Sequence, residues 1–370
     1  MAVFFVDPMG YGNLAAYDTA LLSHVSTPDI TYFTSTNYDL GLPHRTLKWY
    51  SYSNKKGIAK IISYLGTQFR LWKTIRRNRP ELIHFQWVKI PKIDHWLLRR
   101  IKGKGIPIVL TAHNLLPHDS GDRYRKSYAK IYALVDAIIV HTETTKKELV
   151  SEFRIQSGKI HVIPHGILGN DRSDANAVVE KKRSLIDSWG LKDKVVFSVL
   201  GNINKYKGVN ETIEAWLSLD KDLQAQATLI IAGNGQLQAL ERVRDRNDVI
   251  LINRFLGDDE FSALIQLSDY ILLPYLKISQ SGVLLTVLHE KKKVIVSDRG
   301  GLAEPFQFGN IGQVLETVAP ESIKTAIIKA ISEADVQPSE MIWSRIHEHY
   351  DWQGIGKKTQ ELYSKLVTVA

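Results

Sequence analysis

Residues 195–216 read VVFSVLGNINKYKGVNETIEAW. Val195–Leu200 is apolar throughout, Gly201 and Gly208 bracket a polar loop, and Val209–Leu219 resumes at helical spacing. A strand without a polar face, feeding through a glycine loop into a helix, is a unit of a parallel sheet covered on both sides. The same alternation continues downstream. Strands are expected at 228–232 (TLIIA), 249–252, 270–274 and 294–297, with helices at 236–246, 258–267, 282–289 and 353–367.

Upstream the pattern recurs independently. Residues 2–7 (AVFFVD) form a first strand, 14–24 a helix, 30–34 a strand and 57–78 a long amphipathic helix. Strands at 82–85, 107–111 (PIVLT), 137–141 (AIIVH) and 160–163 follow, separated by helices at 95–101, 124–134 and 146–153. Between them the polar, turn-rich run GILGNDRSDANAVVEKK carries no sheet pattern. The expected organisation is a first domain at 1–170, a linker at 171–194, a second domain at 195–345 and a C-terminal helix at 346–370 that crosses back to the first. The fold class is α/β: two doubly wound, Rossmann-like parallel-sheet domains facing across a cleft at the carboxyl ends of their strands.

The chain has 370 residues, more than one core usually supports, and no cysteine. Disulfides, thiolate metal sites and a cysteine nucleophile are thereby excluded, and a cytoplasmic setting is expected. No apolar run is long enough to cross a membrane, and the N-terminus reads as a buried strand. The net charge is +9 but unevenly placed: residues 41–105 hold sixteen Lys/Arg against only Glu81 and Asp94. An anionic partner at one face of the first domain is the expectation.

Several loops carry candidate chemistry. Gly10-Tyr11-Gly12-Asn13-Leu14-Ala15 follows the first strand and matches G-x-G-x-x-A, but the second strand ends in Ser35-Thr36 and lacks the acidic residue of a dinucleotide site. A dinucleotide site, a tight turn and a loop approaching a phosphate or sugar all fit it. His113 ends the strand PIVLT, either capping its loop or donating to a ligand; His84, Gln86 and His118 stand at similar ends, whereas His141 and His165 read as packing and turn residues. Lys205 and Lys207 lie in the Gly201–Gly208 loop, which suits a diphosphate or is a solvated basic turn. Ser279, Gln280, Ser281 and Gly282 open a helix, where unpaired N–H groups and the helix dipole favour an anion or an ordinary cap. No zinc signature, G-x-S-x-G elbow or Walker A run is present.

Taken together, these segments resemble the GT-B retaining glycosyltransferases of family 4 over nearly the whole chain. The matching pieces are the first glycine loop, HFQW, GIPIVLTAHNLLPH, VDAIIVHTETTKKELV, KIHVIPHG, VVFSVLGNINKYKGVNETIEAW, LIIAGNG, LSDYILLPY, SGVLLTVL and VIVSDRGGLAE. The resemblance implies transfer from a nucleotide-diphosphate sugar with retention of anomeric configuration and without a metal ion or other cofactor. It implies that Lys207 contacts the donor phosphates and that His113 lies near the donor sugar or diphosphate.

Two departures stand out. Asn202 replaces the arginine usual after the first glycine, leaving Lys205 as its nearest substitute. The family's two glutamates, eight apart, fall near Ile278 or Ser279 and near Thr286 or Val287, and neither is a carboxylate. The chain is thus similar to an SG-type branch in which amides and hydroxyls remain, with Glu290, one turn beyond Thr286, expected to reach the ribose.

Helix 57–78 places Ile58, Ile61, Ile62, Leu65, Phe69 and Trp72 near one stripe, with Lys60, Arg70, Lys73 and Arg76 beside it and Arg77 on the same surface. The stripe is either core or a surface that lies on an anionic leaflet. Since the acceptor of many family members is a lipid-linked saccharide, a saccharide or lipid-linked acceptor and a peripheral position on the inner face of the plasma membrane are expected, with no nucleic acid. Another GT-B enzyme, such as an epimerase or phosphorylase, or a degenerate scaffold subunit, is the alternative.

Overall fold

The computed structural model describes residues 1–10, 13–27, 29–35, 44–52, 55–117, 121–169 and 173–369. Two units divide the chain: Met1–Gly166 together with Tyr350–Ala370, and Ile167–His349.

The first unit contains β1 (Ala2–Val6), α1 (Asn13–His24), β2 (Asp29–Ser35), β3 (Arg45–Tyr50), α2 (Gly57–Asn78), β4 (Leu82–Phe85) and α3 (Pro91–Lys102). It continues through β5 (Ile108–Thr111), α4 (Arg125–Leu134), β6 (Ala137–Val140), α5 (Glu143–Phe153) and β7 (Ile160–Val162). Its seven strands are all parallel, in the order β3-β2-β1-β4-β5-β6-β7. Order reverses between β1 and β4, the arrangement of a doubly wound sheet. One face packs Phe4, Val6, Ile83, Leu110 and Ile138 under α2, α3 and α4; the other packs Val3, Phe5, Val109 and Ile139 against Tyr17, Leu21 and the C-terminal residues Leu362 and Tyr363.

The second unit opens with α6 (Ala175–Trp189), then β8 (Val195–Leu200), α7 (Val209–Leu217), α8 (Lys221–Gln226), β9 (Ala227–Ala232), β10 (Val249–Ile252) and α9 (Asp258–Leu267). It closes with β11 (Tyr270–Leu273), α10 (Gly282–His289), β12 (Lys293–Ser297), β13 (Gly312–Leu315), α11 (Pro320–Ser332) and α12 (Glu340–His349). The six parallel strands run β10-β9-β8-β11-β12-β13. The chain then returns to the first unit as α13 (Trp352–Val369).

Four elements differ from the sequence reading. The expected linker holds a full helix, α6, capped by Asp174, whose carboxylate accepts from the amides of Asn176 and Ala177, and packed against α9. Only Val178 and Leu185 of it are buried, and the run 180–184 between them, EKKRS, is polar. β3 and β13 were not expected from pattern: RTLKWY and GQVL are edge strands, partly exposed, without the continuous apolar run of their neighbours. The helix expected at 236–246 is only a short 3₁₀ stretch, Gln238–Arg242.

α2 settles the question of its stripe. Tyr64, Gln68, Leu71 and Ile75 are the buried residues, while Ile58, at 75% exposed, and Ile61, Ile62, Leu65 and Phe69 face outward. Only Trp72 of the proposed stripe packs on the core. The inner face is held by polar bonds as well: buried Asp94 accepts from the Tyr64 hydroxyl (2.7 Å), the Gln68 amide (2.8 Å) and the backbone N–H groups of Lys89 and Ile90.

Candidate functional site

In the second unit the loops after β8, β11 and β12 meet at the carboxyl ends of their strands. Gly208, at φ +69°, caps α7 so closely beneath β11 that a Cβ there would lie 2.0 Å from the Pro274 carbonyl oxygen; no side chain fits. This turn carries Lys205, Tyr206 and Lys207. Lys205 and Asn202 are exposed, whereas Lys207 is turned inward and only 7% exposed.

The Lys207 ammonium lies 3.4 Å from the Leu200 carbonyl oxygen and 5.4 Å from the Tyr275 ring centre. Among the described residues it has no carboxylate partner. Burial lowers its pKa to about 8, as desolvation of an uncompensated cation must. Gly201 marks where this ammonium meets α10: a Cβ at Gly201 would be 3.1 Å from Lys207 Nζ and 3.4 Å from Cγ2 of Val283, in the first turn of that helix.

The start of α10 is built for display. The Ser281 side chain accepts from the Leu284 amide (3.3 Å), and Gln280 Oε1 accepts from the Ser281 amide (3.3 Å). The preceding loop is pinned by Gly300, at φ +55°, whose missing side chain lets the backbone sit against the carbonyls of Ile278 and Ser279, and the Gly301 amide donates to Ser279. Ser279, Gln280 and Gly282 are partly or fully exposed. Further along, the Thr286 hydroxyl donates to the Gly282 carbonyl (3.1 Å), so it is spent within the helix. Glu290 sits at the opposite end of α10, where it accepts from the Gln266 side-chain amide (3.1 Å). The structure therefore brings Lys207, Ser281 and Gly282 together and does not bring Glu290 to them.

In the first unit Gly10 is buried under Thr34 and Tyr32, with space for no Cβ: Thr34 Oγ1 would be 2.1 Å away. The Tyr32 hydroxyl donates to Asp18 (2.6 Å), which neighbours the equally buried Asp7, and burial raises both carboxyl pKa values. Gly12 and His118 lie outside the described residues, as does the side chain of Asn13, whose backbone opens α1. His113 follows β5. Its ring lies among Tyr17, Trp87 and His141, and burial with three neighbouring imidazoles holds its pKa well below the usual histidine value. His141, read from sequence as packing, is 3.1 Å from His113 through ring nitrogens. Its place after β6, beside the end of β5, was the available signal.

The basic surface is organised by rings. The Arg70 guanidinium lies 4.1 Å from the Trp49 ring centre, Lys73 4.7 Å from Phe69, and Arg100 4.1 Å from Trp96. Arg76 and Arg77 occupy the last turn of α2. Among the described residues, no three His, Asp or Glu side chains are arranged to hold a metal ion, and no helix is long and apolar enough to cross a membrane.

Comparison with known proteins agrees with this architecture. The family model described as Glycosyltransferase Family 4 matches residues 34–167, and that described as Glycosyl transferases group 1 matches residues 194–333. An uncharacterized glycosyltransferase of Methanocaldococcus jannaschii is 27% identical over 257 residues, covering 66% of this chain and 62% of that protein. The lipopolysaccharide glucosyltransferase WaaG of Escherichia coli is 23% identical over 230 residues, covering 61% and 59%. The chain thus spans about three fifths of the length of these curated relatives. A glycosyltransferase from Rickettsia africae superposes with a TM-score of 0.71 at 16% identity, covering 100% of this chain and 99% of the other. Anabaena HepE in complex with UDP-glucose superposes at 0.70 and 14% identity, covering 99% and 100%. With two parallel-sheet α/β units and both family models in sequence order, the chain belongs to the family 4 type of glycosyltransferases with the GT-B fold.

Proposed function

We propose that this protein transfers a hexosyl group from a nucleotide-diphosphate sugar to a saccharide or lipid-linked saccharide, with retention and without a metal ion or other cofactor. The observation that carries the reading is the buried Lys207 ammonium, lacking a carboxylate among the described residues, beside the first turn of α10. A desolvated cation beside the N-terminal turn of a helix, at the positive end of its dipole, is an anion site waiting for its charge. Anabaena HepE, which shares the fold and was solved in complex with UDP-glucose, supports a donor of this class.

In this reading the donor's C1–O bond to the β-phosphate breaks while the acceptor oxygen bonds to C1 on the same face. The departing phosphate oxygen takes the acceptor's proton, so no protein nucleophile or base is consumed. Lys207 and the N–H groups at Ser281–Gly282 stabilise the charge growing on the leaving diphosphate. Lys205 and Asn202 line the outer rim of that loop, and Ser279 and Gln280 extend the polar edge. In the first unit, His113 is assigned the place near the donor sugar or diphosphate that the family resemblance implies.

The exposed stripe of α2, with Lys73, Arg76 and Arg77 at its end, is assigned to an anionic lipid surface. A place on the inner face of the plasma membrane and a role in surface polysaccharide assembly follow from that assignment and from relatives such as WaaG, a lipopolysaccharide glucosyltransferase. The test is an assay of nucleotide diphosphate release from a panel of nucleotide sugars, with liposomes carrying a lipid-linked saccharide. The anomeric proton coupling of the product is read by NMR. An axial donor giving an axial product supports the reading; inversion, or no release with any donor, overturns it.

A further inference from the structure

Six polar side chains in the first unit form one continuous array. His141 Nδ1 is 3.0 Å from the Ile163 carbonyl oxygen, and His141 Nε2 is 3.1 Å from His113 Nδ1. His113 Nε2 is 3.0 Å from Gln86 Oε1 as the amide is placed, and Gln86 Nε2 is 3.1 Å from His84 Nε2. His84 Nε2 also meets the Thr111 hydroxyl at 2.7 Å, and His84 Nδ1 meets the Tyr363 hydroxyl at 2.5 Å.

One end of this array has no freedom. A backbone carbonyl only accepts, so His141 must carry its proton on Nδ1, and a neutral His141 then offers a lone pair at Nε2. His113 must therefore donate from Nδ1. Its Nε2 is left with two options, decided by how the Gln86 amide is turned, since amide oxygen and nitrogen are assigned from their partners. With the NH₂ toward His113, that ring is a neutral Nδ1–H tautomer. Thr111 Oγ1 and Gln86 then both accept from His84 Nε2–H, and the Tyr363 hydroxyl donates to His84 Nδ1. With the Gln86 carbonyl toward His113, both ring nitrogens must donate and His113 is an imidazolium; the His84 tautomer and the Tyr363 hydroxyl then reverse.

We propose that His141 and Gln86 are positioning residues for His113: His141 holds it as the Nδ1–H tautomer, and the Gln86 amide sets whether the ring is neutral or cationic. Uptake of one proton at His113 is coupled to rotation of that amide. Burial favours the neutral arrangement, holding His84 to about 3 and His141 to about 4. The other titratable groups facing the array are Tyr17 of α1, His165 after β7 and Tyr363 of α13, with Asp18 the carboxylate acting on both tyrosines. The significance of the array rests on the proposed role of His113, but its protonation does not.

The test uses the full chain with ring-¹⁵N histidine, the His113 signals being assigned by their loss in His113→Gln. Without ligand at pH 7.5, His113 is expected as a single Nδ1–H tautomer; a neutral Nε2–H tautomer overturns the proposal. In Gln86→Glu the carboxylate can only accept, so the His113 midpoint should rise by about one pH unit or more. A folded variant with an unchanged midpoint overturns the coupling. Should that variant not fold, His141→Phe carries the test, with both His113 tautomers expected, and persistence of Nδ1–H alone contradicting the assignment. All three readings are made on the unliganded protein, so failure of UDP to bind would remove the proposed function and leave the array intact.

Discussion

Lys207 is the residue on which stability and binding pull in opposite directions. Its pKa of about 8, against 10.5 for a solvated lysine, means that the folded, unliganded protein holds this proton less tightly than the unfolded chain. The unfolded state binds more protons between these values, so stability rises with pH across that window and carries a constant penalty below it. That penalty is on the order of 3 kcal/mol at neutral pH. Lys207→Met should therefore stabilise the unliganded protein by about 1–3 kcal/mol in urea unfolding at pH 7, while removing nucleotide diphosphate binding. A destabilised variant would mean that the ammonium is already compensated. The wild-type protein makes a second, independent prediction. Once the free lysine is neutral, binding an anion must first take up a proton, so affinity for UDP should fall about tenfold per pH unit above pH 8. A flat profile from pH 7 to 10 would place another group at the phosphates. Lys207 was legible in the sequence because glycines bracket its loop after a buried strand. Its burial was not, since Lys205, two residues earlier in the same turn, is exposed.

At the scale of elements, α2 shows how an amphipathic pattern can mislead. Its strongest stripe faces outward, and its inner face is completed by Tyr64 and Gln68, which bury polar atoms because Asp94 accepts their hydrogen bonds. No periodicity of apolar residues could reveal that exchange. Substituting Ile58, Ile62 and Leu65 together by Ser should leave the urea midpoint nearly unchanged, each exposed site contributing within about 0.5 kcal/mol. The same variant should lose binding to vesicles containing phosphatidylglycerol by at least about tenfold. Reversing Lys73, Arg76 and Arg77 to Glu should do likewise and should remove the salt dependence of wild-type binding. Retained vesicle binding in both variants would assign the stripe to something other than lipid. The central strands β1, β4, β5, β8, β9 and β11 could be read directly, because strands buried on both faces leave an unbroken apolar run. The edge strands β3 and β13 could not, because most of their residues are only partly buried and leave no unbroken apolar run.

At the scale of the molecule, two sheets with reversed strand order were legible from the restart of the strand–helix alternation after residue 194. The helix α6 was not, since a helix that buries two residues leaves little apolar signal in a polar segment. The site was legible in parts: the loop of Lys207 and the capped start of α10 stood out as motifs, whereas the distance between Glu290 and that start needed the helix to be built. His141 and Gln86 became chemistry only when neighbouring strands set their side chains beside His113. The central proposal is that Lys207 and the α10 N-terminus bind a nucleotide diphosphate. The most direct measurement is calorimetric titration of the wild-type protein and Lys207→Met with UDP, GDP and ADP in the presence of EDTA. The account predicts saturable binding of at least one nucleotide to the wild type, lost in Lys207→Met; binding of equal strength to both proteins, or to neither, would contradict it.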